Sequence, residues 1–267
     1  MKEAINAERT GAGLEPLESH PALDAVAADQ AARSARADSL TNRPEDIMAI
    51  GRSIREKGYR PFHWKQRLVL GVGHPHRLLE SWRESAPEDF RSLVLGDFEH
   101  VGVGIARTDQ GIPVVSVIAA LPRSTVFYRK ASTLDDLRTV RETILAATNE
   151  LREETERAPL ERSPLLDAAA QEYAELLRDE DHYGHVGPQG SRPGDRVREE
   201  GYRYRWIAEN LAKGLFTPEE VVARWSRSPD HRRNMLHPKP EEVGLGVAYG
   251  ETGGELDVLW VMLLGRR

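Results

Sequence analysis

A constant offset of 143 residues lays the first half of the chain on the second, and no other feature limits its fold so strongly. Asn6 and Arg9 fall on Asn149 and Arg152, and Pro16-Leu17-Glu18 on Pro159-Leu160-Glu161. Pro21, Leu23, Asp24 and Ala25 meet Pro164, Leu166, Asp167 and Ala168, and Gly58-Tyr59-Arg60 meets Gly201-Tyr202-Arg203. Leu68, Gly71, Pro75 and Trp82 meet Leu211, Gly214, Pro218 and Trp225; dropping one residue after Ser85 then brings Val101-Gly102 onto Val243-Gly244. Matches of glycine, proline and tryptophan held in register over so long a stretch indicate duplication. The boundary is read at Pro122–Ser132, which predicts a first domain over 1–125 and a second over 132–267.

The second copy carries the clearer local signals. Ser163-Pro164 reads as an N-cap with proline at the first helical position. Leu166, Ala169, Ala170, Tyr173, Ala174 and Leu177 follow at helical spacing. Thr217 and Glu220 have capping-box spacing at the head of a second helix with Val221 and Trp225 on its core side. Ser228-Pro229 reads as a third cap, opening a short helix through Met235. The period then changes. Val243–Ala248 and Leu256–Leu264 are strand-like, with Gly250–Gly254 as a hairpin loop, and Val101–Ala106 and Ile112–Leu121 end the first copy in the same way around Thr108–Gly111. Helices followed by antiparallel strands predict α+β domains of layered α–β–α type.

Composition excludes several functions. With no cysteine, disulfides, thiolate metal sites and a cysteine nucleophile are ruled out. A net charge of −6 without a basic block argues against nucleic acid, and no apolar run is long enough for a membrane helix. The opening Met1-Lys2-Glu3-Ala4-Ile5-Asn6 enters a helical pattern directly, without the features of a signal peptide. No Gly-x-Ser-x-Gly elbow is present.

The residues with chemistry form an ordered string in the second copy: His185-Val186-Gly187-Pro188-Gln189-Gly190, Asp195-Arg196, Gly201-Tyr202, Glu209-Asn210, Trp225, Ser228-Pro229-Asp230-His231-Arg232-Arg233-Asn234, and Val243-Gly244-Leu245-Gly246. With the opening Asn149-x-x-Arg152, this string resembles the CAP superfamily (cysteine-rich secretory proteins, antigen 5 and pathogenesis-related 1 proteins) in its bacterial SCP-like branch. The resemblance covers about residues 146–265, and a weaker version covers 5–121. It implies an exported protein of α–β–α sandwich fold with a cleft lined by His185, Glu209 and His231. Ala208 stands where the family usually has glycine. Ser228 stands where eukaryotic members carry a second glutamate.

Two imidazoles and a carboxylate are a donor set for zinc or another divalent cation with an open position, His185 and His231 being the metal candidates. Equally, Glu209 is placed to orient a histidine as general base. His182, three residues before His185, is expected to face solvent. In the first copy the offset sets Asn42, Gln66 and Asp89 against His185, Glu209 and His231. Asparagine and glutamine can hydrogen-bond but neither ionise nor serve as good metal ligands, so this copy is expected to serve structure or binding. His74-Pro75-His76 straddles a helix start and is expected to be an exposed loop. The functional expectations are therefore a metal-dependent or general-base hydrolase, or a non-catalytic module for a small molecule, a lipid, a cell-wall polymer or a protein. A structural envelope role with a vestigial site is the third.

Overall fold

Seven consecutive residues near the C-terminus, Val258 to Leu264, are all buried, and they alternate between two separate cores. Val258, Trp260, Met262 and Leu264 enter one core, while Leu259, Val261 and Leu263 enter the other. A strand with apolar side chains on both faces must be covered on both faces. The rest of the domain follows from that demand.

The computed structural model describes residues 1–37, 44–70 and 74–267. It divides into two compact units, Met1–Val126 and Phe127–Arg267. The first holds α1 (Lys2–Gly11), β1 (Glu18–Ser19), α2 (Pro21–Ala37), α3 (Pro44–Glu56), β2 (Pro61–Leu70), α4 (Pro75–Ser85), α5 (Pro87–Val94), β3 (His100–Arg107) and β4 (Pro113–Pro122). Helix α6 (Arg123–Ala131) occupies most of the stretch read as the boundary, and its Phe127 and Ala131 belong to the second unit's core. That unit continues with α7 (Leu137–Glu153), β5 (Glu161–Arg162), α8 (Pro164–Asp179), α9 (Pro193–Glu199), β6 (Trp206–Lys213), α10 (Pro218–Arg227), α11 (Pro229–Met235), β7 (Glu242–Thr252) and β8 (Glu255–Arg266).

The two sheets have matching orders, β1-β3-β4-β2 and β5-β7-β8-β6. The two-residue strands β1 and β5 pair in parallel, and all other pairs are antiparallel. In the second unit, α8 and the region of α9 cover one face, while α7, α10 and the end of α11 cover the other. In the first, α2 and α3 cover one face and α1, α4 and α5 the other. Each is an α+β, α–β–α sandwich, as the sequence led us to expect.

Three local details differ from the sequence reading. The second hairpin is tighter, since β7 runs to Thr252 and only Gly253-Gly254 turn the chain, both at positive φ. Strand β6 went unread because its Glu209 and Asn210 interrupt any apolar alternation. Ser163 and Ser228 occupy N-cap positions, but neither side chain caps its helix. Ser163 is instead held by its backbone, donating N–H to Val243 O at the end of the parallel β5–β7 pairing. The Thr217–Glu220 box does form, with Glu220 N–H to Thr217 Oγ1 and Thr217 N–H to Glu220 Oε2 both at 3.2 Å.

The helix over each sheet lies unusually close. A Cβ on Gly244 would stand 2.1 Å from the Leu166 carbonyl carbon, and one on Gly246 would stand 2.2 Å from Ala170 O. In the first unit Gly102 and Gly104 meet Leu23 and Ala27 just as closely. These glycines are required by backbone approach rather than by conformation. Gly244→Ala is expected to destabilise the second unit by about 3 kcal/mol through overpacking. Scanning calorimetry checks this, and a variant that melts with the wild type would contradict the close approach.

Candidate active or metal-binding site

The segment between α8 and α9 is fastened before it delivers His185. Asp181 turns the chain at positive φ, and the Tyr173 hydroxyl, rising from α8, donates to Gly184 O. His182 does not simply face solvent; its Nε2 lies 2.7 Å from Val186 O and braces the turn around His185. Gly187 N–H donates to Ser191 O and Gly190 N–H to Gly187 O, closing the segment before α9. Helix α9 starts with Asp195 accepting from Arg192 N–H at 3.0 Å.

Glu209 projects from edge strand β6, with its side chain 1% exposed. A buried carboxylate needs partners for both oxygens. Oε1 lies 2.8 Å from His185 Nδ1, and Oε2 accepts from Arg196 Nη2 at 2.6 Å. Arg196 also donates from Nη1 to Ser191 O and from Nη2 to His185 O, and its guanidinium carbon lies 3.3 Å from the centre of the Tyr173 ring. The arginine thus fixes the carboxylate, the backbone of His185 and the loop between them. The His185 side chain remains 56% exposed, so its imidazole bridges the buried acid and the outside.

His231 arrives from the other side of the same strand. It is the third residue of α11, and its carbonyl accepts from Asn210 Nδ2 at 3.1 Å. Asn234 donates to Asn210 Oδ1 at 2.9 Å and to Glu209 O at 3.4 Å. Two asparagines therefore clasp α11 to β6 beside Glu209. The buried Nδ1 of His231 has no hydrogen-bond partner among the described residues.

The two imidazoles are pushed in opposite directions. The hydrogen bond to Glu209 raises the pKa of His185, against a smaller desolvation effect. Burial lowers that of His231, and the charge of nearby His185 lowers it further, despite Asp230. The structure brings His185 and Glu209 into contact and sets His231 near enough to feel His185. Among the described residues no group of three or more His, Asp or Glu side chains gathers as a metal cage.

The sequence reading missed Arg196, Tyr173 and Asn234 as working parts. Arg196 and Asn234 stood in the quoted motifs, but nothing local assigned Arg196 to a carboxylate thirteen residues away. In the first unit, Asn42 lies outside the described residues. Gln66 donates to Ser116 Oγ at 3.2 Å, and Asp89 pairs with Arg67 at 2.6 Å. His74 and His76 flank the start of α4, both exposed, with rings stacked 5.4 Å apart.

A model of the cysteine-rich secretory protein (CAP) family matches residues 2–118 and again 145–264. The chain belongs to this family. It is a tandem CAP protein, with one family domain in each unit. The uncharacterized protein YkwD of Bacillus subtilis (strain 168) is 34% identical over 110 residues, which are 41% of this chain and 42% of that protein. The matched part thus spans about two fifths of the curated relative's length. Among solved structures, an outer surface protein from Borrelia burgdorferi shares 25% identity at a TM-score of 0.43, over 49% of this chain and 96% of its own. An extracellular protein containing a SCP domain from Bacillus anthracis shares 15% at 0.45, over 76% and 78%.

The opposed shifts make a prediction about this CAP domain. A raised histidine pKa adds stability that is present below the unfolded value and lost as pH rises through the folded one; a lowered one removes stability as pH falls below the unfolded value. His185 should therefore titrate above, and His231 below, the ordinary imidazole value when followed by NMR. Glu209→Gln should bring the His185 midpoint down. Coincident midpoints in the wild type would contradict the hydrogen-bonded pair.

Proposed function

We propose that the second domain is a divalent-cation-binding cleft of an exported protein, with His185 and His231 as ligands and Glu209 as the residue that orients His185. The observation that carries this reading is the bond between His185 Nδ1 and a carboxylate anchored in turn by Arg196. A proton held on Nδ1 leaves the lone pair on Nε2, the arrangement in which histidines bind metal in front of a carboxylate. His231 complements it, because burial and the neighbouring His185 favour neutral imidazole, the form that ligates. Both oxygens of Glu209 are already committed, so it serves as a positioning residue and the site has two protein ligands with the other positions open. Zinc or a similar ion bound there would supply a Lewis acid to an oxygen of the ligand. Where no metal occupies the site, the same lone pair serves the alternative, general-base chemistry: His185 Nε2 would accept the proton of an attacking water while Glu209 stabilises the resulting imidazolium. Export is part of the proposal because the family is one of secretory proteins by its description; no described helix is long and apolar enough to cross a membrane.

A second reading makes the tandem a non-catalytic module for a lipid, a cell-wall polymer or a protein. The replacement of Glu209 and His231 by Gln66 and Asp89 in a first domain that retains the fold favours it. The two readings separate in one experiment. Zinc titration by calorimetry should give saturable one-to-one binding to the intact protein and none to His185→Ala/His231→Ala. Glu209→Gln should weaken binding about tenfold or more through loss of orientation. An absent signal, or one that persists in the double variant, sinks the metal site and leaves the binding module.

A further inference from the structure

The first domain holds a pair of histidines that the second lacks, near the sheet edge formed by β1. His20, Tyr59 and His100 meet edge to face. Their ring centres are 4.6 Å apart for His20 and Tyr59, 5.3 Å for His20 and His100, and 5.6 Å for Tyr59 and His100. His20 stands between β1 and α2, Tyr59 follows α3, and His100 opens β3. The repeat sets Ser163, Tyr202 and Glu242 at these positions, and there the Tyr202 hydroxyl donates to Glu242 at 2.7 Å. Two imidazoles have thus replaced a hydroxyl and a carboxylate around a retained tyrosine.

The hydrogen bonds fix where each ring carries its proton. His20 occupies the N-cap position of α2, ahead of Pro21, and unlike Ser163 it does cap. Its Nδ1 accepts from Ala22 N–H at 3.2 Å, and its carbonyl accepts from Asp24 N–H at 3.0 Å. An accepting ring nitrogen bears no proton, so neutral His20 is protonated at Nε2. His100 Nδ1 lies 3.0 Å from the Tyr59 hydroxyl. Tyr59 is buried and has no other hydrogen-bond partner among the described residues, so its hydroxyl donates to His100.

The two rings differ in what a further proton does. On His100, a proton at Nδ1 turns the Tyr59 hydroxyl from donor to acceptor, and the bond survives. On His20 the proton must enter at Nδ1, where it meets Ala22 N–H, a backbone donor that cannot turn. The cap is lost, and a positive ring then stands at the positive end of α2. The turn it holds carries Leu23, whose backbone lies against Gly102.

The charges around His20 come from several elements. His100 faces it from β3, and Glu18 of β1 lies 4.0 Å from His100 Nε2. Asp24 in the first turn of α2 is engaged by Lys2 of α1, by Ser19 and by Val103 N–H. Glu99 accepts from Thr125 and, with burial, holds the Tyr59 hydroxyl above its usual range. Burial lowers the pKa of His20 and the charge of His100 lowers it further, against Asp24. With the folded value below the unfolded one, stability is lost as pH falls below the ordinary imidazole value, down to the midpoint of His20 itself.

We propose that His20 is a proton-operated latch on α2: neutral, it caps the helix that covers one face of the first domain's sheet, and protonated, it releases that helix's first turn. The second domain, with Ser163 and Glu242 at this place, has no such latch. The device uses residues of the first domain alone and stands or falls independently of the metal site in the second.

The test follows the full chain by NMR from neutral to acid pH, reading the His20 ring, the Ala22 amide shift and the exchange of the Asp24 amide corrected for its intrinsic rate. The Ala22 shift should move with the His20 titration, and Asp24 protection should fall about tenfold through the same midpoint. His20→Asn keeps an accepting atom that does not titrate, so it should retain Asp24 protection where the wild type loses it. His100→Asn removes the opposing charge and should raise the His20 midpoint, a gain that unfolding does not imitate. The latch is overturned by Asp24 protection that stays flat while His20 titrates, by an acid step that survives in His20→Asn, or by a His20 midpoint unmoved in His100→Asn.

Discussion

Arg152 is wholly buried, and the fold around His185, Glu209 and His231 depends on how its charge is satisfied. Taking a guanidinium out of water costs several kcal/mol unless its donors are met. Here backbone carbonyls meet them. Nε donates to Ala158 O at 2.7 Å, and Nη1 donates to Met235 O at 2.7 Å and His237 O at 3.0 Å. Met235 and His237 lie at the end of α11, where helix carbonyls lack internal partners and carry negative partial charge. One side chain thereby joins the end of α7, the segment leading to β5, and the helix that holds His231. Asn149, one turn before it, adds a two-way bond to the backbone of Leu160. Arg9 and Asn6 repeat the device in the first domain, with Arg9 on the carbonyls of Glu15, Val94, Gly96 and Phe98. The Asn-x-x-Arg motif is thus a structural lock.

The meeting of His185, Glu209 and the helix of His231 is the consequence of this lock and of a sheet covered on both faces. The glycines of β7 allow α8 to lie against the sheet, which brings Tyr173 beneath Arg196 and hence Arg196 to Glu209. Since β6 is an edge strand, a residue near its middle can be reached from both helical layers at once. His185 comes from one side and His231 from the other, and Glu209 and Asn210 are the adjacent strand residues that receive them. The first domain preserves the edge strand and the join to the following helix but changes the chemistry of both. The ion pair of Arg67 and Asp89 joins β2 to α5 as Asn210 joins β6 to α11. Duplication retained the frame and left the edge of each sheet to diverge.

Much of this was legible in the chain. The 143-residue offset, the helical face of α8, the Thr217–Glu220 box and the terminal hairpins all rest on contacts between near neighbours or on repeated spacing. The three site residues could be selected because the ordered motifs resemble a known family. Other features were not legible for physical reasons. β6 carries a buried acid and a buried amide in place of apolar alternation, so its pattern disappears. Ser228 has the composition of a cap, yet its hydroxyl makes no capping bond. Phe127 and Ala131 lie in a stretch that reads as the boundary between copies, and only packing assigns them to a core.

By itself, then, the sequence determined the duplication, the α+β class, the exclusion of thiol chemistry and the candidate set His185, Glu209 and His231, because composition, periodicity and ordered motifs are properties of the chain. Tertiary structure alone decided that Glu209 is divided between His185 and Arg196, that the buried Nδ1 of His231 has no partner among the described residues, and that Arg67 and Asp89 pair at the corresponding place in the first domain. Those outcomes depend on which distant groups meet where water is excluded, and a partner's identity at such a place is set by packing rather than by spacing along the chain.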